Sequence, residues 1–181
     1  MSEKVSSFFH VTVKDYKYLF LICGWNDFVT SIKEELEKQT DPFGEALGIN
    51  GKVIQPYKSK HEQTFNEVVR KDWPDEIANR IGKEQDPFMV IINTDFKDFD
   101  PTKSPWAIIW FSDYRGETDS IYRLFGGLAQ KVRYNEDLLD YLKGLSRKEK
   151  FKKISKYIDL ESTKIFGVTI NFNAILDDMF T

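Results

Sequence analysis

The chain has 181 residues, 41% of them apolar and 15% aromatic, with 26 basic and 29 acidic side chains. This length suits one domain, and the apolar fraction is large enough to build a substantial core. The formal charge of −3 excludes a globally basic nucleic-acid-binding protein, although it leaves room for a local basic patch. We therefore predict a single globular domain over residues 1–181.

The cysteine content and the lengths of the apolar runs indicate the cellular compartment in which the protein is expected. Cys23 is the only cysteine, so an internal disulfide is excluded and a reducing environment is indicated. Its place in the apolar run Tyr18–Cys23 predicts a small buried side chain, with a catalytic thiolate as the alternative. No apolar run reaches the roughly 18–20 residues that span a bilayer. We predict no transmembrane segment and a cytoplasmic location.

Apolar periodicity and turn residues predict the elements of the first half of the chain. Ser7–Val13 alternates as a strand does and could form a hairpin with the strand Tyr18–Cys23. The other predictions are a helix from Asn26 or Asp27 to Gln39, a turn at Asp41-Pro42-Phe43-Gly44, a strand over Lys52–Tyr57 that Pro56 places at an edge or an ending, and helices over Lys60–Lys71 and from Pro74 to Lys83.

Two continuous apolar runs, each introduced by a proline, lie at the centre of the chain. Phe88–Thr94 and Trp106–Phe111 are typical of strands covered on both faces. The elements predicted after them are a helix from Thr118 or Asp119 to Arg133, a short helix capped by Asn135, a helix over Arg147–Ile158 capped by Ser146, a strand over Lys164–Asn171 and a final amphipathic turn over Asn173–Phe180.

This order of elements predicts an α/β fold, in which helices flank a central mixed β-sheet of five or six strands. A segregated α+β arrangement is the alternative. Residues 118–158 are the one candidate subdomain.

Polar chemistry is densest between the two central strands. Asp95, Asp98 and Asp100 follow the first strand, and Asp113 and Glu117 follow the second. Carboxylates at strand ends often hold hard divalent cations, so a cation such as Mg²⁺ is the candidate cofactor, with the three loop aspartates as ligands. The alternative is a solvated connection in which Asp98 and Asp100 are turn residues.

Two motifs in and before this loop resemble a known family. Pro74-Asp75 and Asp95-Phe96-Lys97 are similar to the Pro-Asp … Asp/Glu-x-Lys signature of the restriction-endonuclease-like nucleases, in which the first acid lies on a strand. The resemblance implies that two acids hold Mg²⁺ and that the lysine generates or positions the attacking hydroxide. The candidate catalytic residues are then Asp95 and Lys97, with Asp75 or Glu117 as a further ligand or orienting group.

A second motif, His10-Val11-Thr12-Val13, resembles one copy of the His-x-Thr element of the two-histidine phosphoesterases. In that family two such elements on two strands surround a phosphodiester, and the histidines act as general base and general acid. The other histidine of this chain, His61, lies in His-Glu-Gln-Thr within a predicted helix. The alternative for His10 is an ordinary strand histidine.

A basic run near the end of the chain is opposed only by Glu149. It could contact a phosphate backbone or an anionic membrane surface, or it could be a solvated outer face. The residues are Arg147, Lys148, Lys150, Lys152, Lys153 and Lys156.

Two functions follow from these patterns. The first, which we favour, is a non-enzymatic intracellular interaction module of the binding, regulatory or immunity type, because no catalytic constellation is complete and the composition is rich in aromatic residues. It predicts a protein partner and a surface with exposed aromatics, among them Tyr114, Tyr122 or Tyr134. The second is a metal-dependent nuclease or phosphodiesterase that uses Asp95 and Lys97 and holds nucleic acid on residues 147–156.

Overall fold

A computed structural model describes residues 2–24, 30–83, 87–111, 120–134, 137–154 and 167–171, together with Ile175 and Asp178. The α-helices of this described part are α1 (Thr30–Leu47), α2 (His61–Val69), α3 (Asp75–Lys83), α4 (Ser120–Arg133) and α5 (Leu138–Ile154). Its strands are β1 (Ser2–Val5), β2 (Tyr18–Cys23), β3 (Gly51–Pro56), β4 (Phe88–Ile92), β5 (Trp106–Trp110) and β6 (Gly167–Asn171).

The described strands form one mixed sheet in the order β1-β3-β2-β4-β5-β6. The central pairs β2–β4 and β4–β5 are antiparallel, whereas β1–β3, β3–β2 and β5–β6 are parallel. Every residue of β2, β4 and β5 is buried, as the continuous apolar runs predicted. The predicted α/β fold with a central mixed sheet is confirmed.

Alternate residues of each central strand enter two separate cores, one on each face of the sheet. In β4, Met89 and Ile91 pack with residues of α1, α4 and α5, while Phe88, Val90 and Ile92 pack with residues of α2 and α3. The second core also holds Trp106 and Trp110, which the sequence places on one side of β5, and the Trp106 ring lies 5.1 Å from that of Trp73. Among the described residues, no helix has the length and apolar character needed to cross a membrane.

The prediction of a first strand over Ser7–Val13 is wrong. Residues Phe8–His10 form a 3₁₀ helix, and the edge strand lies earlier, at Ser2–Val5. The reason is local hydrogen bonding: the backbone N–H of Phe9 donates to the Ser7 hydroxyl, and that of Phe8 donates to the Glu67 carboxylate. These donors are satisfied by side chains, so the segment does not need a strand ladder. The predicted hairpin is absent too, since β1 and β2 flank β3.

The predicted turn at Asp41–Gly44 is also wrong, because α1 continues through it with Pro42 inside the helix. Proline has no N–H to donate to the carbonyl four residues earlier, so it is unfavourable there. The packing of the last two turns compensates for this loss. Phe43 stacks on Phe125 with ring centroids 4.3 Å apart, and Leu47 is fully buried.

Pro56 ends β3, which confirms one of the two predicted alternatives. The edge position is not observed, because β1 and β2 lie on either side of β3. One further boundary differs from the sequence prediction. The short helix and the helix expected after Ser146 are one continuous helix, α5, in which Ser146 is buried and does not serve as an N-cap. Residues 155–166 and most of the predicted final turn lie outside the described residues.

Candidate functional site

The acidic loop is attached to the N-terminal segment through Asp95. Its carboxylate Oδ1 accepts a hydrogen bond from the backbone N–H of Val13, with 2.6 Å between the heavy atoms. The next residue, Phe96, is fully buried and packs edge-on against Phe8 and Phe9 at centroid distances of 5.5 and 5.4 Å. The structure thus brings together the two segments that the sequence singled out, His10–Val13 and Asp95–Lys97. The Asp95 carboxylate satisfies a backbone donor there.

Lys71, just beyond α2, holds the same loop from the other side. Its ammonium donates to the backbone carbonyls of Phe96 and Phe99 at 2.7 and 2.9 Å, and to that of Lys97 at 3.4 Å. The ammonium also lies over three aromatic rings, those of Phe9, Phe96 and Phe99, with the Phe96 centroid nearest at 4.7 Å. Burial lowers the pKa of Lys71, and the nearby carboxylates of Asp100, Asp98 and Asp72 oppose that shift.

The remaining charges of the loop are paired locally at the surface. Asp100 accepts from the backbone N–H and hydroxyl of Thr102 at 2.9 and 2.6 Å and from the Lys103 ammonium at 2.6 Å. The Lys103 and Thr102 hydrogen bonds lower the pKa of Asp100 to about 2. Lys97 and Asp98 form an exposed ion pair at 3.9 Å. Asp100 is therefore a turn residue of the kind that the alternative interpretation expected.

The cation site predicted from Asp95, Asp98 and Asp100 gains no support from this geometry. Within the part of the chain that the structure describes, no group of three histidine, cysteine, aspartate or glutamate side chains is placed to hold a metal ion. Asp75 is the exposed first residue of α3, so it does not lie on a strand as the nuclease resemblance implies. Glu117 is outside the described residues. A metal site that uses Asp95 and Lys97 stays a prediction.

The histidines and the cysteine that the sequence offered as candidate catalytic groups lie in environments that do not suit those roles. His10 ends the 3₁₀ helix and is exposed, so the strand that the phosphoesterase resemblance requires is not formed. His61 begins α2, as predicted. Cys23 is fully buried, and burial raises the pKa of its thiol far above the usual range. A buried, protonated thiol is a poor nucleophile, so Cys23 is the small core side chain that the sequence predicts.

The basic run lies in and beyond the second half of α5. The helix includes the backbone of Arg147, Lys148, Lys150, Lys152 and Lys153, whose side chains are outside the described residues, as is all of Lys156. Tyr122 and Tyr134, on and just after α4, have exposed fractions of 59% and 71%. They are exposed as predicted, and Tyr114 is outside the described residues.

Sequence reasoning missed two residues that join distant segments. Lys71 is one, and no local pattern distinguishes it from other lysines at helix ends. The other is Tyr18, whose hydroxyl accepts a hydrogen bond from the backbone N–H of Leu138 at 3.0 Å and so caps the start of α5 from β2. Burial is the main cause that raises the Tyr18 pKa, and Asp137 and Asp140 raise it further. The only feature of the sequence that pointed to this contact is the polar hydroxyl of a tyrosine at the start of an otherwise apolar strand.

Comparison with known proteins adds no family. No family model, curated protein or solved structure matches this chain. Function must therefore be argued from the residues themselves.

Proposed function

We propose that the protein is a non-enzymatic interaction module that binds a protein partner at α4, in the helical layer of α1, α4 and α5. The observation that carries this proposal is the exposure of Tyr122 and Tyr134, the two largest exposed fractions among the described aromatic side chains. Tyrosine is enriched at the energetically important positions of protein interfaces, because its large ring packs well and its hydroxyl still finds a partner.

The polar groups of the acidic loop support the same proposal. A catalytic group must be able to contact a substrate, but Asp95 is hydrogen-bonded to the Val13 backbone, Lys71 to three loop carbonyls and Asp100 to Thr102 and Lys103. Their hydrogen bonds are used to hold the loop. A stable, rigid scaffold that presents aromatic side chains is what an interaction module requires.

Affinity capture from a lysate of the native host tests this function. The baits are the wild type, the double variant Tyr122→Ala/Tyr134→Ala and the control Tyr57→Ala, since Tyr57 is 49% exposed and follows β3 in the chain. We expect a protein that the wild type and Tyr57→Ala both retain and that the double variant loses. With the purified partner, the double variant should bind at least about tenfold more weakly in calorimetry. Equal binding by all three baits would contradict the proposal.

The metal-dependent nuclease is the alternative, and a metal titration separates it from the interaction module. A cation held at millimolar concentration with micromolar affinity would stabilise the wild type by about 4 kcal/mol. The quantity to compare is the metal-induced shift in melting temperature, because Asp95→Ala also removes the hydrogen bond to Val13. A shift with Mg²⁺ or Mn²⁺ in the wild type that Asp95→Ala abolishes would favour the nuclease.

A further inference from the structure

The exposed face of α4 carries tyrosine and arginine and no carboxylate. Successive helical residues are about 100° apart, so the exposed side chains of this helix and its last turn lie within an arc of about 120°. Tyr134 belongs to the same face, because its N–H donates to the Gln130 carbonyl and continues the helical geometry by one residue. The exposed residues of this face are Tyr122, Arg123, Gly126, Gln130, Arg133 and Tyr134.

Positive charge is concentrated in this part of the chain. Residues 120–134 contain Arg123, Lys131 and Arg133 and no acidic residue. The net charge of residues 120–134 is therefore +3, opposite in sign to the −3 of the whole chain, so the α4 face attracts a negatively charged group.

The neighbouring helix has the opposite charge. α1 packs beside α4 through the Phe43–Phe125 stack, at 4.3 Å between centroids. The exposed acidic residues of α1 are Glu34, Glu37, Asp41 and Glu45. A nucleic acid that extended over both helices would meet this acidic stripe and be repelled. A protein fits better, because its negative charge can be confined to one short segment that covers α4 alone.

We propose that the exposed face of α4 is a docking surface for an acidic segment of a protein partner, an inference that rests on the proposed function. Arg133 supplies planar donors that pair with carboxylates, and the two tyrosines supply aromatic contact area. Gly126 lies near the middle of this face, and a Cβ built there would meet nothing within 4 Å. The glycine leaves open space into which a side chain of the partner fits.

The substitution Gly126→Glu tests the docking surface with little risk to the fold. It adds a bulky carboxylate in the middle of the face, where the structure has room for it, and it removes a helix-interior glycine. The matched control is Gly82→Glu in α3, another exposed glycine at which an added Cβ would meet nothing within 4 Å. The two variants have the same net charge, so a difference in binding reports the location of the charge.

The probe is a displayed library of random 16-residue peptides selected on the purified full chain. We expect peptides enriched in Asp and Glu, and a labelled member should bind in fluorescence anisotropy with an affinity that falls as salt rises. Gly126→Glu should weaken binding at least about tenfold by placing like charges together, and Gly82→Glu should not. Melting temperatures of both variants show that the fold is retained.

Three results would overturn the inference. The first is a selection without acidic enrichment, and the second is unchanged binding of the acidic peptide by Gly126→Glu. The third is tighter binding of a 20-residue oligothymidylate or an RNA of the same length, which would assign the face to nucleic acid. If uncharged or basic peptides bind and Gly126→Glu abolishes their binding, the proposed acidic character of the partner segment is wrong, while the proposal of an interaction module is retained. The proposed function itself fails only if the lysate capture also finds no partner sensitive to Tyr122 and Tyr134.

Discussion

Replacing Lys71 with methionine is expected to destabilise the protein by about 2–3 kcal/mol. The variant loses the short hydrogen bonds to the carbonyls of Phe96 and Phe99 and a longer one to that of Lys97, and a hydrogen bond to a charged group contributes about 1.5–3 kcal/mol. In the wild type, the desolvation of the ammonium offsets part of the free energy that these hydrogen bonds contribute, and the same burial lowers the Lys71 pKa. Methionine retains apolar contact with the Phe96 ring, so the loss reports mainly the hydrogen bonds.

Urea denaturation followed by circular dichroism measures this difference, and the expected fall in melting temperature is about 5–10 °C for a chain of this size. The control is Lys58→Met, at an exposed lysine, which should change stability by no more than about 0.5 kcal/mol. If Lys71→Met and Lys58→Met are equally stable, the acidic loop is not held by Lys71 and this reasoning is refuted.

The difference in stability between the wild type and Lys71→Met should also depend on pH, in a direction that the Lys71 pKa predicts. The folded-state pKa of Lys71 lies below the unfolded value of 10.5. Between the two values the unfolded state binds more protons, so stability rises with pH in that interval. The stability advantage of the wild type over Lys71→Met should therefore grow as the pH is raised toward 10.5, and a constant difference would contradict the lowered pKa.

Three further predictions can be checked by denaturation. Tyr18→Phe removes the acceptor of the α5 N-terminal hydrogen bond and should cost about 1 kcal/mol, whereas an unchanged free energy of unfolding would deny Tyr18 a capping role. Gly51→Ala places a Cβ 2.8 Å from the Phe20 ring and should destabilise the protein by about 1–3 kcal/mol. Gly144→Ala, at a position in α5 with open space around it, should stabilise the protein by about 0.5–1 kcal/mol. Effects of the same sign in the two variants would contradict the packing at Gly51. Folding lowers the pKa of Asp100 from 3.8 to about 2, so the wild type loses the stability contributed by this carboxylate as the pH falls from about 4 to 2. Asp100→Asn lacks the carboxylate, so its free energy of unfolding should decrease less over the same pH range. Unfolding measured along an acid titration would show this difference.

The candidate site was only partly predictable from sequence. The exposure of Tyr122 and Tyr134 and the burial of Cys23 were predicted correctly by composition and pattern, whereas the site role of the acidic residues of the 95–100 loop stays a prediction. What the acids do was not predictable, because the partner of Asp95 is Val13, which precedes it by 82 positions. A carboxylate that binds a backbone N–H and one that binds a metal have the same appearance in a sequence.

Local sequence patterns are sufficient to predict the fold class, the three central strands and most of the amphipathic helices. Continuous apolar runs such as Phe88–Ile92 must be buried on both faces, and a helical apolar stripe such as that of α4 must cover a sheet, whatever the neighbours are. These features depend on local burial, which each segment specifies alone.

Local patterns do not predict the strand order, the helical state of Pro42 or the role of Lys71. Each depends on contact between segments distant in sequence: β1 with β3, Phe43 with Phe125, and the Lys71 ammonium with the carbonyls of Phe96 and Phe99. The free energy of such contacts exceeds the local preference of a proline for a helix end or of an alternating segment for a strand. Local propensity is outweighed wherever tertiary packing satisfies more backbone groups or buries more apolar surface.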